Sequence, residues 1–223
     1  MRYPCLVLDH DDTVVDSTAS IHYPAFRAYM EKKRPGQFYT LEAYFQKNFD
    51  PGFMRFYVEE LGFSKAELEE EFQFWQEFVK TRVPQAYPGM RELLARHRRA
   101  GGVLAVVTHS LCETVLRDYR ENILPKPDVV FGCELPPQQC KPYPWPLHKL
   151  METYGFSAAQ LLVVDDLKPG YDMARAAGVA FAAAGWANTV GQISDFMRCN
   201  CDFYFQNVAE LAAFLEKENG YPD

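Results

Sequence analysis

The chain has 223 residues, of which 48% are hydrophobic, and a formal net charge of −7. This length accommodates one large domain or two small ones with a substantial core, and the composition is that of a globular protein rather than a disordered one. The negative charge argues against nucleic acid as a partner, and no apolar run approaches the roughly 20 residues that a membrane span needs.

The first predicted element is a short strand that ends in a carboxylate. The apolar run that stops at Leu8 predicts a strand buried on both faces. Asp9 follows it at once, Asp11 comes two residues later, and Thr13 two residues after that. Open α/β sheets bind ligands at the carboxyl ends of their strands. Two neighbouring carboxylates repel each other, so the pair predicts a site for a divalent, oxygen-preferring cation such as Mg²⁺.

The next predicted segment, residues 18–82, is helical and rich in aromatic residues. Pro35-Gly36 and Pro51-Gly52 divide it into three or four helices. The last of these begins with a capping box, and its apolar residues recur at helical spacing, at Leu68, Phe72, Trp75 and Val79. Its acidic run is interpreted as a solvated face, formed by Glu67, Glu69, Glu70 and Glu71. The aromatic residues predict the core of this insertion and a substrate lid rather than a partner-binding surface.

After Pro84 the pattern changes to strands that alternate with helices. The predicted strands are 103–107, 129–131, 161–164, 180–184 and a last one near 203–205. Such alternation predicts a parallel sheet with right-handed crossovers, which the first strand joins. The predicted fold class is therefore α/β, a Rossmann-like core of residues 1–16 and 84–223 with a helical cap of residues 17–83 inserted after the first strand.

Polar residues stand at or near the ends of the later strands. Thr108 follows one strand and offers a hydroxyl and a backbone N–H to a phosphate oxygen. Lys141 has prolines at +1, +3 and +5, which stiffen the entry into a helix and hold the lysine to offset negative charge. Asp165 and Asp166 end a further strand and supply acidic ligands.

The six cysteines fit no zinc-binding spacing, and free thiols are the expectation. The N-terminus runs straight into the first strand without the layout of a signal peptide. Together these features predict a location in the reducing cytoplasm.

Four segments taken in order resemble the motifs of the haloacid dehalogenase superfamily. Asp9-His10-Asp11-Asp12-Thr13 is similar to its first motif, and Thr108 to its second. The run from Lys141 to Leu147 resembles the third motif in the phosphoglycolate phosphatase-like branch, and the run from Val163 to Gly178 resembles the fourth. The position and length of the helical insertion fit the cap of subfamily I.

The resemblance implies a Mg²⁺-dependent phosphatase acting on a small phosphorylated metabolite, with phosphoglycolate as the nearest suggestion. It implies that Asp9 is the nucleophile that becomes an aspartyl-phosphate and that Asp11 is the general acid and base. Mg²⁺ would be held by Asp9, the Asp11 carbonyl, Asp166 and Asp165. The phosphoryl group would be held by Thr108, by Lys141 and by the backbone at His10 and His109.

Two residues depart from the family pattern. Asp12 stands where the first motif usually has Gly, and His10 stands where an apolar or aromatic residue is usual. Asp tolerates a left-handed backbone better than most residues, so the turn can survive the change. The His10 side chain is interpreted as a packed core residue.

Several alternatives stay open at the level of sequence. Asp11 disfavours the dehalogenase and phosphonatase branches, which lack an aspartate there. A sugar-phosphate mutase of the β-phosphoglucomutase type shares all four motifs, and Asp12 leaves room for a non-catalytic binding protein with the same fold. The cap candidates for a substrate anion are Arg27, Arg34 and Arg55, each of which also reads as an ordinary surface residue. The sequence allows a monomer or a homodimer.

Overall fold

The computed structural model describes residues 1–221, which form a three-layered α/β core with a helical insertion. Its strands are β1 (Cys5–Leu8), β2 (Val15–Asp16), β3 (Gln85–Ala86), β4 (Val103–Val107), β5 (Val129–Phe131), β6 (Leu161–Asp165), β7 (Ala180–Ala184) and β8 (Phe203–Phe205). Six of them form one parallel sheet in the order β5-β4-β1-β6-β7-β8. The predicted parallel sheet is confirmed, and each predicted strand lies within two residues of its position.

The helices are α1 (Tyr23–Lys33), α2 (Leu41–Lys47), α3 (Phe53–Arg55), α4 (Lys65–Val79), α5 (Met90–Arg99), α6 (Cys112–Glu121), α7 (Trp145–Tyr154), α8 (Lys168–Ala177), α9 (Gly191–Asn200) and α10 (Val208–Asn219). π-helical turns occur at Thr18–His22, Asn48–Gly52 and Phe56–Glu60, and short 3₁₀ turns at Pro137–Gln139 and Ala158–Gln160. In the part of the chain that the structure describes, no helix has the length and apolar character to cross a bilayer.

Both faces of the sheet are covered by helices. Side chains of α5, α6 and α10 pack with Leu6 and Leu8 of β1 on one face. Side chains of α7, α8 and α9 pack with Cys5 and Val7 on the other. Successive side chains of a strand point to opposite faces, so all four residues of β1 are buried. This explains why β1 is apolar throughout rather than alternating.

The topology places the polar strand ends at one edge. β1 lies between β4 and β6, and all three run in the same direction. Asp9, Thr108 and Asp165 therefore lie at adjacent carboxyl ends. This is the edge at which open α/β sheets place their ligands.

The helical insertion leaves and rejoins the core through two adjacent strands. β2 and β3 pair antiparallel, with Val15 opposite Ala86 and Asp16 opposite Gln85. Between them α1 to α4 enclose a core of their own, built from Phe26, Tyr29, Met30, Tyr44, Phe56, Tyr57, Leu61 and Phe63. The insertion also touches the α/β core, because the ring centroids of Phe49 and Phe196 are 5.2 Å apart.

One prediction about α4 is wrong. The Ser64–Glu67 capping box is present, but Glu71 is only 7% exposed whereas Phe72 is 40% exposed. The helix is turned so that Glu71 and Val79 face the interior, and the Tyr57 hydroxyl lies 3.3 Å from Oε1 of Glu71. A polar partner inside the insertion thus replaces the solvent expected for Glu71.

Candidate active site

The residues that the sequence singled out meet at the carboxyl edge of the sheet. Lys141 reaches this edge from the segment before α7, and its Nζ donates to Oδ1 of Asp9 and to Oδ2 of Asp165, both at 2.7 Å. Asp9, Asp165 and Asp166 each place a carboxylate oxygen within 4.8 Å of the others. All four of these side chains are buried. The lysine therefore holds two strand ends together through its charge.

Burial dominates the electrostatics of this cluster. It raises the pKa of Asp9, and it raises the pKa of Asp165 to about 6, in both cases against the opposing charge of Lys141. Burial also raises the pKa of Asp166, and the charges of Asp12, Asp165 and Asp9 add to the effect. Burial alone would lower the pKa of Lys141, but Asp165 and Asp9 outweigh it and the pKa is raised. The single positive charge of Lys141 thus offsets part of the negative charge of both Asp9 and Asp165.

The donor set fits a hard divalent cation. Oδ2 of Asp166 is buried without a hydrogen-bond partner, and an unpartnered buried acceptor costs about 1–3 kcal/mol. Carboxylate oxygens from Asp9, Asp165 and Asp166 are the ligands that Mg²⁺ prefers. A cation bound between them would satisfy the Asp166 oxygen and offset the repulsion among the three carboxylates.

Asp11 is held by three donors from two parts of the chain. Ser17 Oγ and His22 Nε2 lie 2.7 and 2.8 Å from its Oδ1. Ser110 Oγ donates to its Oδ2 at 2.6 Å. Burial would raise the pKa of Asp11, but His22 and the hydrogen bonds outweigh it, and the pKa lies well below its usual value. Asp11 is therefore ionised in this arrangement.

His22 is a site residue that the sequence reasoning missed. The indole Nε1–H of Trp75 donates to His22 Nδ1 at 2.9 Å. Because an indole nitrogen only donates, Nδ1 is the unprotonated nitrogen and Nε2–H faces Asp11. Trp75 lies on α4, so the helical insertion contributes directly to the surroundings of Asp11. The available signal was the pair of polar residues, Ser17 and His22, in the segment that follows the first motif.

Asp12 occupies a left-handed conformation, with φ 59°. Its Oδ1 accepts hydrogen bonds from the backbone N–H groups of Ser17 and Thr18 at 3.2 and 3.0 Å. The side chain therefore caps the turn that enters the insertion, which is a stabilising role for an Asp that replaces Gly. Burial raises the pKa of Asp12 to about 6.

Thr108 and His109 follow β4 as predicted. Thr108 is buried, and its Oγ1 accepts from the backbone N–H of Ser110 at 3.0 Å, which leaves the hydroxyl proton free to donate. His109 Nε2 lies 3.1 Å from the carbonyl oxygen of Lys141. Burial and then the charge of Lys141 lower the pKa of His109. A neutral His109 ring thus supports the backbone that carries Lys141.

The three cap arginines lie against other residues of the insertion. Arg34 pairs with Glu67 and Arg55 pairs with Glu59. The guanidinium of Arg27 lies 4.9 Å from the ring centroid of Phe38. Arg27 and Arg55 are exposed, whereas only 27% of the Arg34 side chain is exposed.

Known protein families and curated proteins include relatives of this chain. The sequence profile described as "Haloacid dehalogenase-like hydrolase" matches residues 6–184. A curated phosphoglycolate phosphatase of Haemophilus influenzae (strain 86-028NP) is 30% identical over 152 residues, which are 67% of this chain and 66% of that protein. The matched segment thus spans just under two thirds of that relative.

Solved structures share the fold. A putative haloacid dehalogenase-like hydrolase from Bacteroides fragilis aligns with a TM-score of 0.78 at 20% identity, covering 94% of this chain and 99% of that one. A putative phosphoglycolate phosphatase from Lactobacillus plantarum aligns with a TM-score of 0.75 at 21% identity, covering 96% and 99%. At these identities the similarity establishes the fold.

Proposed function

The chain belongs to the haloacid dehalogenase-like hydrolases, and from this premise we propose that it is a Mg²⁺-dependent phosphatase acting on a small phosphate monoester. The observation that carries the proposal is the placement of Lys141 Nζ 2.7 Å from both Asp9 and Asp165, beside the unpartnered oxygen of Asp166. A buried nucleophile, a fixed cation and a carboxylate cluster at one strand edge are the components that phosphoryl transfer requires.

Asp9 is the proposed nucleophile. One of its oxygens bonds to phosphorus in line with the leaving oxygen, and the bond from phosphorus to that oxygen breaks. The product of this step is an aspartyl-phosphate and an alcohol. Water then attacks the same phosphorus, which releases inorganic phosphate and restores the Asp9 carboxylate.

Asp11 is the proposed acid and base. It gives a proton to the leaving oxygen in the first step and takes one from the attacking water in the second. The donors Ser17, His22 and Ser110 keep it ionised in the structure described. An incoming phosphate dianion places negative charge nearby and raises the pKa of Asp11, which favours the proton uptake that the first step needs.

The transferring group is held by the Thr108 hydroxyl, by Lys141 and by backbone N–H groups at His10 and His109. Asp9, Asp165, Asp166 and the Asp11 carbonyl would hold Mg²⁺. When bound, the ion offsets the negative charge of the phosphoryl group and of the carboxylates around it. Lys141 opposes the same charge from the side of Asp9 and Asp165, and so makes attack by one anion on another feasible.

We further propose that residues 17–83 act as a cap that covers the site and contacts the leaving group. Support comes from the hydrogen bond between His22 of the insertion and Asp11, which is oriented by Trp75 of α4. Phosphoglycolate is the first substrate to test, because the curated relatives carry that activity in their names. The six free cysteines support a reducing, cytoplasmic location.

The experiment is phosphate release from a panel of small monoesters, with and without Mg²⁺, for the wild-type chain and Asp9→Asn. Mg²⁺-dependent release that Asp9→Asn abolishes supports the proposal, and the best substrate defines the leaving group. Release that persists at the wild-type rate in Asp9→Asn contradicts it. Turnover that requires a bisphosphate primer and frees no phosphate would identify a mutase instead.

A further inference from the structure

The side chain between the two aspartates of the first motif points into the core. His10 is fully buried, and its Nε2 lies 3.1 Å from Oδ2 of Asp118 on α6. Because a carboxylate oxygen accepts, His10 Nε2 carries a proton and donates. The His10 carbonyl accepts from the backbone N–H groups of Val14 and Val15 at 2.9 and 3.2 Å. His10 therefore fastens the loop that bears Asp9 and Asp11 to α6.

The second oxygen of Asp118 faces its neighbour Arg117. Nε and Nη2 of Arg117 lie 2.8 and 2.7 Å from Oδ1 of Asp118. Asp118 is buried, and only 18% of the Arg117 side chain is exposed. One carboxylate is thus shared between the loop of the catalytic aspartates and a single guanidinium, and charge-assisted hydrogen bonds of this kind are among the stronger ones in proteins.

Arg117 also binds the segment that returns the insertion to the core. Its Nη1 donates to the carbonyl oxygens of Val79 and Lys80 at 2.9 and 2.8 Å, and its Nη2 donates to that of Arg82 at 2.9 Å. Val79 ends α4, where helix carbonyls lack partners within the helix. We call residues 80–86 the return linker. Arg117 holds its first half to α6.

The second half of the return linker is held from the same helix end. Asn122, directly after α6, donates from Nδ2 to the Pro84 carbonyl at 2.9 Å and accepts from the Ala86 N–H at 2.8 Å. Arg117 and Asn122 thus bind the return linker at two points. Asp118, on the same helix as Arg117, binds the loop that carries Asp9 and Asp11. The side chains of Arg117 and His10 meet on Asp118.

We propose that Asp118 is a positioning residue that couples the return linker of the insertion to the loop of the two catalytic aspartates. A cap that opens for substrate and closes over it must move on its linkers. Displacement of the return linker moves Arg117 and so changes its hydrogen bonds to Asp118. A shift of Asp118 in turn changes its hydrogen bond with His10. The effect on turnover rests on the proposed function, whereas the coupling between linker and loop does not.

The first test measures the linker directly and needs no activity. Lys80 and Arg82 are exposed trypsin sites within the return linker. We expect Arg117→Gln to raise the rate of cleavage there by about threefold or more, because its carbonyl contacts protect the linker. His10→Phe should also raise the cleavage rate, although the His10 side chain hydrogen-bonds Asp118 rather than the linker. Arg120→Gln, an exposed arginine of the same helix paired with Glu121, is the matched control and should leave the rate unchanged.

The second test is a double-mutant cycle on turnover of p-nitrophenyl phosphate. Arg117→Gln and His10→Phe should each lower kcat by about tenfold with KM changed by less than about twofold, since they displace the reacting groups rather than remove a substrate contact. The double variant should fall little below the poorer single variant, because both changes break one chain of contacts. Asp118→Asn, where it folds, should match the double variant.

Independent effects would overturn the proposal: a double variant whose loss in kcat is the product of the two single losses, or a trypsin rate that His10→Phe does not change. If the wild-type chain proves to have no phosphatase activity, the proposed function fails. The trypsin rates of His10→Phe and Arg117→Gln then decide the coupling by themselves.

Discussion

Trp75 and His22 are joined by an N–H···N hydrogen bond of 2.9 Å that fixes which nitrogen of His22 faces Asp11. A tryptophan of the helical insertion thereby sets the tautomer of a histidine that contacts Asp11, the proposed acid and base. If Asp11 acts as proposed, this hydrogen bond lets the insertion influence the protonation of Asp11.

Trp75→Phe should raise the pKa of His22. The Trp75 indole N–H occupies the lone pair of the neutral His22 ring, so losing the indole favours protonation of His22 at Nδ1. Asp11 already raises the pKa of His22, against the opposing effect of burial. A fully charged His22 would hold Asp11 ionised more strongly and lower kcat by about tenfold. Titration of the His22 ring protons by NMR checks the first point. An unchanged titration would contradict it, and Trp145→Phe, whose ring packs on Phe131, is the control.

Lys141→Met should destabilise the chain by about 3 kcal/mol or more when Mg²⁺ is absent, because it leaves buried Asp9 and Asp165 without their cation. Mg²⁺ should then restore more stability to the variant than it adds to the wild type. Urea unfolding with and without Mg²⁺ measures both effects. Lys149→Met, at an exposed lysine of α7, is the control. Equal stability of Lys141→Met and wild type without Mg²⁺ would refute this account of the cluster.

Asp12→Asn should raise the stability of the Mg²⁺-free chain by about 1 kcal/mol near neutral pH. The amide oxygen can keep the caps on Ser17 and Thr18, while the charge that raises the pKa of Asp166 is removed. Mg²⁺ should consequently stabilise this variant less than the wild type. Thermal unfolding with and without Mg²⁺ provides the measurement. A lower melting temperature without Mg²⁺ would show that the charge of Asp12 is itself stabilising.

Glu71→Gln should stabilise the chain above neutral pH and leave its stability almost unchanged near pH 4. Burial raises the pKa of Glu71 to about 7 in the folded chain, against 4.5 for an exposed Glu. The folded state therefore binds this proton more tightly, and the wild type loses stability as the pH rises through that interval.

The expected gain from Glu71→Gln at about pH 8 is roughly 2 kcal/mol, obtained from unfolding free energies at several pH values. Glu70→Gln is the neighbouring control, since 42% of the Glu70 side chain is exposed and it is paired with Lys33. A gain that does not depend on pH would rule out the burial of the charge as its cause.

Much of the core follows from local pattern. Apolar runs that end on Asp9, Thr108 and Asp165 predict both the parallel strands and the edge at which their ends meet, because parallel strands align their carboxyl ends. The hydrogen-bond partners of Asp11 were not predictable in this way. Ser110 lies 99 residues from Asp11, and Trp75 lies 53 residues from His22. Such contacts depend on how segments distant in the sequence pack together, within the core for Ser110 and within the insertion for Trp75.

The orientation of α4 about its own axis could not be predicted from the local sequence pattern either. Phe72 and Glu71 are neighbours, and hydrophobicity alone favours burial of the phenylalanine. The structure buries Glu71 instead, because the Tyr57 hydroxyl provides a partner within the insertion. The His10–Asp118 contact likewise joins residues 108 positions apart.

The most direct test of the proposed chemistry is whether the phosphoryl group becomes covalently attached to Asp9. A substrate labelled with ³²P in the phosphoryl group is mixed with the chain and Mg²⁺, quenched in acid during turnover, and the chain is digested and mapped. The account predicts label on the peptide that contains Asp9, more of it in Asp11→Asn, where the base for hydrolysis is missing, and none in Asp9→Asn. Turnover without labelled protein in either the wild type or Asp11→Asn, or label that persists in Asp9→Asn, would contradict it.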